Sequence, residues 1–347
     1  MSGLPTTQRV LYLLGPERVE LRSVAVPRPG PEEVLLRVEA ATTCGTDFKV
    51  WRRGGHPRML TPPCPFGHEV AGVVAAVGAG VVGFAEGDPV VVANSAPCGE
   101  CPACRAGREN LCRDLRYLNG AYGEYLLLPP RFVARSTRHR PASLDPAVAA
   151  LAEPLACVRH GLSACPDGPE PVLVLGGGPI GQMFVGELAR DGRRVVLADP
   201  SERRRDVARA LGAASVVEVA GIPDDVRRLA DATSPEGVAL VVEATGVPAA
   251  WETAMAVVAP GGTVVLFGGC PPGTTVRCDA ARVHYGELTV KGVYHHRPAT
   301  FAEAVERLAD GDPGYGLLIE EERPLEQVEL ALRRMAAREI LKAAIRP

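Results

Sequence analysis

The chain has 347 residues, of which 46% are hydrophobic and 23% charged, and its net charge is −3. That length accommodates two domains with an ample core, and the slight acidity argues against nucleic acid or an anionic membrane as a partner. Met1–Gln8 is polar, and the longest apolar run, Val70–Ala85, is too short for a span and is broken by Gly72, Gly78, Gly80 and Gly83. We therefore expect a cytoplasmic protein whose thiols stay reduced.

In chain order, "EVLLRVEAATTC", "EVAGVVAAVG" and "DPVVVAN" read as strands of a partly closed antiparallel barrel, with a surface turn at Pro27–Glu33. The loop "CGECPACRAGRENLC" follows, with Cys98, Cys101, Cys104 and Cys112 spaced C-x2-C-x2-C-x7-C. Residues 94–116 carry few large apolar side chains, so burial alone could not order them. Four thiolates converging on one tetrahedral ion could. Two disulfides or an iron–sulfur cluster are the alternatives. A structural zinc is favoured, since protein would fill all four positions, with Arg105, Arg108, Arg113 and Arg116 near enough in sequence to offset the charge.

From Pro171 strands and helices alternate. "PVLVL", "RVVLAD", "SVVEV", "VALVVEA", "GTVVLFGG" and "LTVKGV" read as strands of a doubly wound parallel sheet, and "GQMFVGELARDG" as an amphipathic helix closed by Gly192. Gly176, Gly178 and Gly181 form GxGxxG between the first strand and that helix, so Gly176–Gly181, with Pro179 and Ile180, would cradle a pyrophosphate. Asp199 ends the second strand, where a carboxylate accepts ribose hydroxyls and repels a 2′-phosphate, which favours NAD over NADP. Arg204, with Arg203 and Arg205, could welcome that phosphate or form an exposed basic face. Helices are expected at Phe301–Ala309 and Leu325–Ala336, then a last short strand. The expected division is 1–157 with 299–347 packing back onto it, and 158–298.

Cys44 and His68 offer two of the three protein ligands a catalytic zinc needs, although singly each is more often a packing residue. "GHEVAGVVAAVGAGV", the four-cysteine loop and the glycine turn, in that order, resemble the zinc-dependent medium-chain dehydrogenase/reductase family in its sorbitol and polyol dehydrogenase branch. The resemblance covers essentially the whole chain. It implies a GroES-like catalytic β-barrel domain, a Rossmann domain, an active site in the cleft between them, and two zinc ions per chain, one catalytic and one structural.

By that resemblance Glu153 of "LAEPLACVRHG" is the third catalytic ligand, placed at or near a helix start, and Glu69 can replace it or alternate with it. Cys157 and His160 form a rival ligand set on the same helix. Thr46 matches the hydroxyl that passes the alcohol proton outward, while Lys49 stands where better-known relatives carry the relay histidine. His295 and His296 of "GVYHHRP" fall where sorbitol dehydrogenases contact the polyol, and Tyr117 and Tyr122 are pocket walls or, equally, exposed or core residues. The expected reaction oxidises a polyol, cyclitol or sugar hydroxyl to a ketone with NAD, in a homodimer or homotetramer. A zinc-free quinone or enoyl reductase, an NADP-dependent reductase and a non-catalytic nucleotide-binding protein are the rivals.

Overall fold

The computed structural model describes residues 3–168, 170–219, 224–234, 237–311 and 314–347. The chain divides into two compact units, Met1–Ala156 with His296–Pro347, and Cys157–His295.

The first unit is built on a largely antiparallel sheet centred on Val34–Thr42. That strand pairs with Glu69–Val77, Tyr125–Leu128 and Lys342–Ile345. Pro89–Val92 and then Thr137–His139 extend one side, and Ile319–Arg323 runs parallel to Lys342–Ile345 on the other. A smaller sheet joins Thr7–Gly15 to Arg18–Ala25 and Cys64–Pro65. Along Val34–Thr42 only Arg37 is exposed, because this central strand is covered on both faces. Leu36, Val38, Val70, Val74, Val90 and Val92 pack into the core. Gly72 is required where two strands crowd: a Cβ there would collide with the Arg37 carbonyl, next to a register shift between Val38 and Ala40.

The helix Gly45–Arg53 begins just beyond the stretch read as strand, where no element is expected from the sequence. It starts through a local capping box in which the Cys44 thiol accepts the Thr46 N–H at 3.4 Å and the Asp47 carboxylate accepts the Cys44 N–H at 3.2 Å. It ends at Gly54 in the left-handed conformation. The tail holds a helix at Pro298–Ala309, a short 3-10 turn at Leu325–Gln327 leading into the helix Val328–Ala336, and the unanticipated strand Ile319–Arg323.

The second unit holds a six-stranded parallel sheet in the order Ser215–Val217, Val195–Ala198, Val172–Leu175, Val238–Glu243, Val258–Leu266, Thr289–Gly292. This is the doubly wound dinucleotide-binding order, with the chain reversing direction around its first strand. Val172–Leu175 and Val195–Ala198 are buried at every residue, as strands sandwiched between helix layers must be. Among the described residues no helix is long and apolar enough to cross a membrane.

Candidate metal centres and nucleotide site

A single hydrogen-bond relay orients the histidine of the first unit. His68 Nδ1 lies 2.8 Å from Asp47 Oδ1, and the Tyr122 hydroxyl donates to Asp47 Oδ2 at 2.6 Å. Since the carboxylate accepts, Nδ1 keeps its proton, and Nε2 is the nitrogen a cation would take in exchange for a proton. Burial opposes charge on the ring, but Asp47 and Cys44 outweigh it and hold His68 well above the ordinary histidine range. Tyr122 is wholly buried with its ring against Gly67, so it is a support of this relay and not a pocket wall. Its ring leaves no room for a side chain at Gly67, which adopts φ +88°.

Cys44, His68 and Glu69 converge, with a potential ligand atom from each within 4.8 Å of the others. Adjacent residues of a regular strand point to opposite faces, and the backbone solves this by starting the strand at Glu69, one residue after His68. Glu69 is fully buried. Its Oε2 accepts from Lys342 Nζ at 2.6 Å and from the Thr42 hydroxyl, whereas Oε1 has no hydrogen-bond partner among the described residues. Lys342 also donates to the Thr43 carbonyl at 2.6 Å. Burial works against its charge, but Glu69 and Cys44 keep its pKa raised. No sequence motif marks Lys342; only the pairing of Lys342–Ile345 with Val34–Thr42 brings it here.

Glu153 lies outside that convergent trio. It sits in the first turn of the helix Ala152–Leu162, with Pro154 at the third helical residue, and is buried 3.7 Å from His296 Nε2. Burial pushes its carboxyl up to about 7, with Glu69 and Asp47 adding to the rise and His68 and Lys342 opposing it. His296 Nε2 also lies 3.1 Å from Asn94 Oδ1.

The rival pair on this helix does something else. Cys157 and His160 belong to none of the metal-competent groups among the described residues. His160 Nδ1 lies 2.7 Å from the His295 carbonyl, and so donates to it, bracing a residue whose φ is +62°. Thr46 is in the first turn after Cys44, and Lys49 is exposed on the same helix. Tyr117 is half-buried on the short strand Arg116–Tyr117.

The four-cysteine loop forms a second centre. Its sulfurs lie 3.5 Å apart for Cys101–Cys104 and Cys98–Cys112, and 3.9 Å for Cys98–Cys104 and Cys101–Cys112. Four sulfurs placed tetrahedrally around one zinc would be about 3.8 Å apart. The spacing is too long for disulfides and too short for thiolates spread over a cluster of several irons. Backbone N–H groups of Cys104 and Arg113 pull the Cys101 thiol down to about 6. The helix Pro130–Ser136 grips the loop: Arg131 Nη1 donates to the Asp114 carbonyl at 3.0 Å, and the Arg135 guanidinium lies over Gly99, where a Cβ would strike it. Of the arginines expected to balance the loop, Arg116 is paired with Asp114 at 2.8 Å.

In the second unit the glycine turn and Asp199 are built as one piece. Asp199 is buried; its Oδ2 accepts the Gly177 N–H at 2.7 Å and its Oδ1 the Ser201 N–H at 2.8 Å. Gly176 adopts φ +101°, and a Cβ on Gly181 would collide with the Gly176 carbonyl. Gly178 caps the helix Pro179–Arg190, whose N-terminus suits an anion. Arg204 Nη1 is 3.7 Å from Asp199 Oδ2, while Arg205 donates to the Asp199 carbonyl at 2.7 Å and is buried there.

A half-buried thiol with a buried imidazole and carboxylate, in a chain that also holds a doubly wound sheet, defines a metal-dependent dehydrogenase. Residues 30–138 match the alcohol dehydrogenase GroES-like domain, and residues 179–310 match the zinc-binding dehydrogenase family. The chain is 34% identical to the L-threonine 3-dehydrogenase of Pyrococcus horikoshii over 281 residues, 79% of each chain. It is 28% identical to the sorbitol dehydrogenase of Bacillus subtilis, over 99% of this chain and 98% of that one. A protein of Sinorhizobium meliloti described as a zinc-binding dehydrogenase and solved bound to NADP matches with a TM-score of 0.89 at 31% identity, covering 99% of this chain and 100% of that one. The chain belongs to the zinc-dependent medium-chain dehydrogenase/reductase family, and it is a zinc-dependent, NAD(P)-dependent oxidoreductase.

The two carboxylates should respond oppositely to neutralisation in metal-free protein. Glu69→Gln strands a buried ammonium and should lower stability by about 3–5 kcal/mol, whereas Glu153→Gln removes a poorly compensated charge and should cost nothing. Because the folded-state pKa of Glu153 is about 7, above the ordinary 4.5, its favourable contribution is complete below pH 4.5 and lost as pH rises to about 7. Metal-free wild type should lose about 3 kcal/mol across that window, and Glu153→Gln should not. Denaturant titrations at several pH values check both; equal destabilisation by the two substitutions would refute the charge assignment.

Cys104→Ser should lower solubility and remove metal from the loop while the other centre keeps its ion. Metal analysis giving full occupancy at both centres in this variant would reject a tetrathiolate site.

Proposed function

We propose that the enzyme oxidises a secondary alcohol flanked by a second polar substituent, as in a polyol, cyclitol or sugar, to a ketone, with NAD as the hydride acceptor. The convergence of Cys44, His68 and buried Glu69, with buried Glu153 near enough to feel the charge of His68, carries this reading, because thiolate, neutral imidazole and one carboxylate together offset a divalent ion. Cys44, His68 and Glu153 hold the catalytic zinc, since Lys342 already neutralises Glu69; Oε1 of Glu69 supplies the alternate ligand. Cys98, Cys101, Cys104 and Cys112 hold the structural zinc.

Bound there, zinc supplies Lewis acidity that brings an alcohol pKa toward neutrality, and a nicotinamide accepts hydride. The protein's own groups do the rest. Asp47, braced by Tyr122, keeps the proton of His68 on Nδ1. The Thr46 hydroxyl takes the alcohol proton and passes it outward; with Lys49 exposed in place of a relay histidine, ribose hydroxyls or water complete the path. His295 and His296, with Tyr117, offer hydrogen bonds to neighbouring substrate hydroxyls. Threonine and sorbitol, the compounds in the two relatives' names, both present a secondary alcohol next to a polar group, which supports this substrate class. A panel of polyols, cyclitols, sugars, amino alcohols and plain alkanols, followed at the absorbance of reduced nicotinamide, tests it; turnover of simple primary alkanols alone would overturn it.

For the cofactor, Asp199 presents a carboxylate fixed by two backbone N–H groups, which disfavours a 2′-phosphate. The NADP-bound neighbour and the basic run at Arg203–Arg205 favour the second reading, an NADP-dependent reductase. Asp199→Ser should raise the kcat/KM ratio of NADP to NAD by about tenfold or more, at some loss of NAD efficiency because Gly177 loses its acceptor. A wild-type enzyme that already prefers NADP would decide for the second reading. Thr289–Gly292 lies at the sheet edge with all four residues exposed, and we assign it to a homodimer or homotetramer contact, which light scattering checks.

A further inference from the structure

We propose that His160 is a positioning residue for substrate recognition: by holding the His295 carbonyl it fixes the direction in which the His295 imidazole leaves the chain. This rests on the assignment of His295 to a polar group of the substrate. His160, on the helix Ala152–Leu162, donates from Nδ1 to that carbonyl at 2.7 Å, and both residues lie in the second unit. His295 has φ +62°, a conformation in which an L side chain crowds its own backbone. Of the five described non-glycine residues with positive φ, Glu17, Glu32, Glu287 and Arg338 are exposed, and His295 alone is half-buried. An exposed turn can leave its carbonyl to water, whereas a half-buried one calls for an internal donor. His160 supplies it. A strained residue kept in place by a dedicated side chain marks a segment whose exact course matters.

Both ends of this contact are held. Gly161 follows His160 and faces two rings: a Cβ there would strike Phe184 and crowd Phe267, which themselves meet edge to face at 5.1 Å. The helix therefore has one seating on these rings, and His160 one orientation with it. Ahead of His295, the Val293 N–H donates to the Leu266 carbonyl at 3.1 Å. Beyond it, the Arg297 N–H donates to the Thr300 hydroxyl at 3.0 Å, at the start of the helix Pro298–Ala309.

Between these two anchors the chain turns at His295. Relaxing that residue to the ordinary region would rotate φ by more than about 100° and swing its imidazole with it. The bond from His160 is thus a local brace whose loss is felt through the direction of one side chain.

Steady-state kinetics with sorbitol and with L-threonine on wild type, His160→Asn, His160→Gln, His295→Gly and the double variant His160→Gln/His295→Gly tests this. Asparagine places its amide nitrogen where Nδ1 stands and should keep KM for the alcohol within about twofold. Glutamine carries its donor further out, near the position of Nε2, and should raise that KM about fivefold, with kcat and the KM for NAD within about twofold. Glycine tolerates the left-handed conformation, so His295→Gly removes the imidazole without adding strain; it should raise KM for the alcohol at least as much as His160→Gln does. The double variant should match His295→Gly, because His160 acts through that imidazole. Additive effects of the two substitutions, or equal losses in the asparagine and glutamine variants, would show a merely structural role for His160 and overturn the proposal. An unchanged KM in His160→Gln, beside a raised one in His295→Gly, would overturn it while leaving His295 as a substrate contact. An unchanged KM in His295→Gly, or failure of wild type to turn over either compound, would remove the substrate reading itself, and this inference with it.

Discussion

Charge balance in a dry interior governs the first unit. Asp47, His68, Glu69, Glu153 and Lys342 are all buried, and the half-buried thiol of Cys44 lies beside His68 and Glu69. An uncompensated charge there costs several kcal/mol, so each must find a partner or change its protonation. Glu69 finds Lys342, and Asp47 finds His68 and Tyr122. Glu153 lies 3.7 Å from His296, and burial raises its pKa. Within this site, then, two carboxylates of equal intrinsic acidity hold different standing. One is paired with a lysine, and the other lies 3.7 Å from a histidine.

The same need for completion explains why the relay ends in Tyr122. Burial and Asp47 both raise its pKa, so it stays a donor. A donor on Oδ2 and the ring on Oδ1 together fix the orientation of Asp47, and through it His68. The orientation of His68 thus depends on a phenol that is not itself a member of the metal-competent trio, which is how outer partners commonly tune such centres.

The nucleotide unit uses backbone geometry in place of charge compensation. Gly177 donating to Asp199 couples the glycine turn to the carboxylate that follows the next strand. Glu243 does comparable work one strand over, accepting the N–H groups of Thr245 at 2.7 Å and Gly246 at 3.1 Å and so shaping the turn that follows its strand. Burial raises the pKa of Glu243, and these N–H groups counter the rise.

Local patterns were enough to identify the parallel sheet, the glycine turn and the thiol loop. Buried parallel strands are continuous apolar runs, a close backbone approach demands glycine, and four thiols within one short loop have only one another to meet. The helix Gly45–Arg53 escaped because its start is a capping arrangement around a cysteine, an unusual cap residue with a weak local signal. Lys342, Tyr122 and Arg135 escaped for a different reason: each is far in sequence from the residue it serves. The sequence by itself determined which side chains could bind metal or nucleotide. Only the tertiary structure decided their division of labour, bringing Glu69 to Lys342, turning His160 to the His295 carbonyl and pressing Tyr122 onto Asp47, because burial and partner charge are properties of assembled strands and not of any one segment.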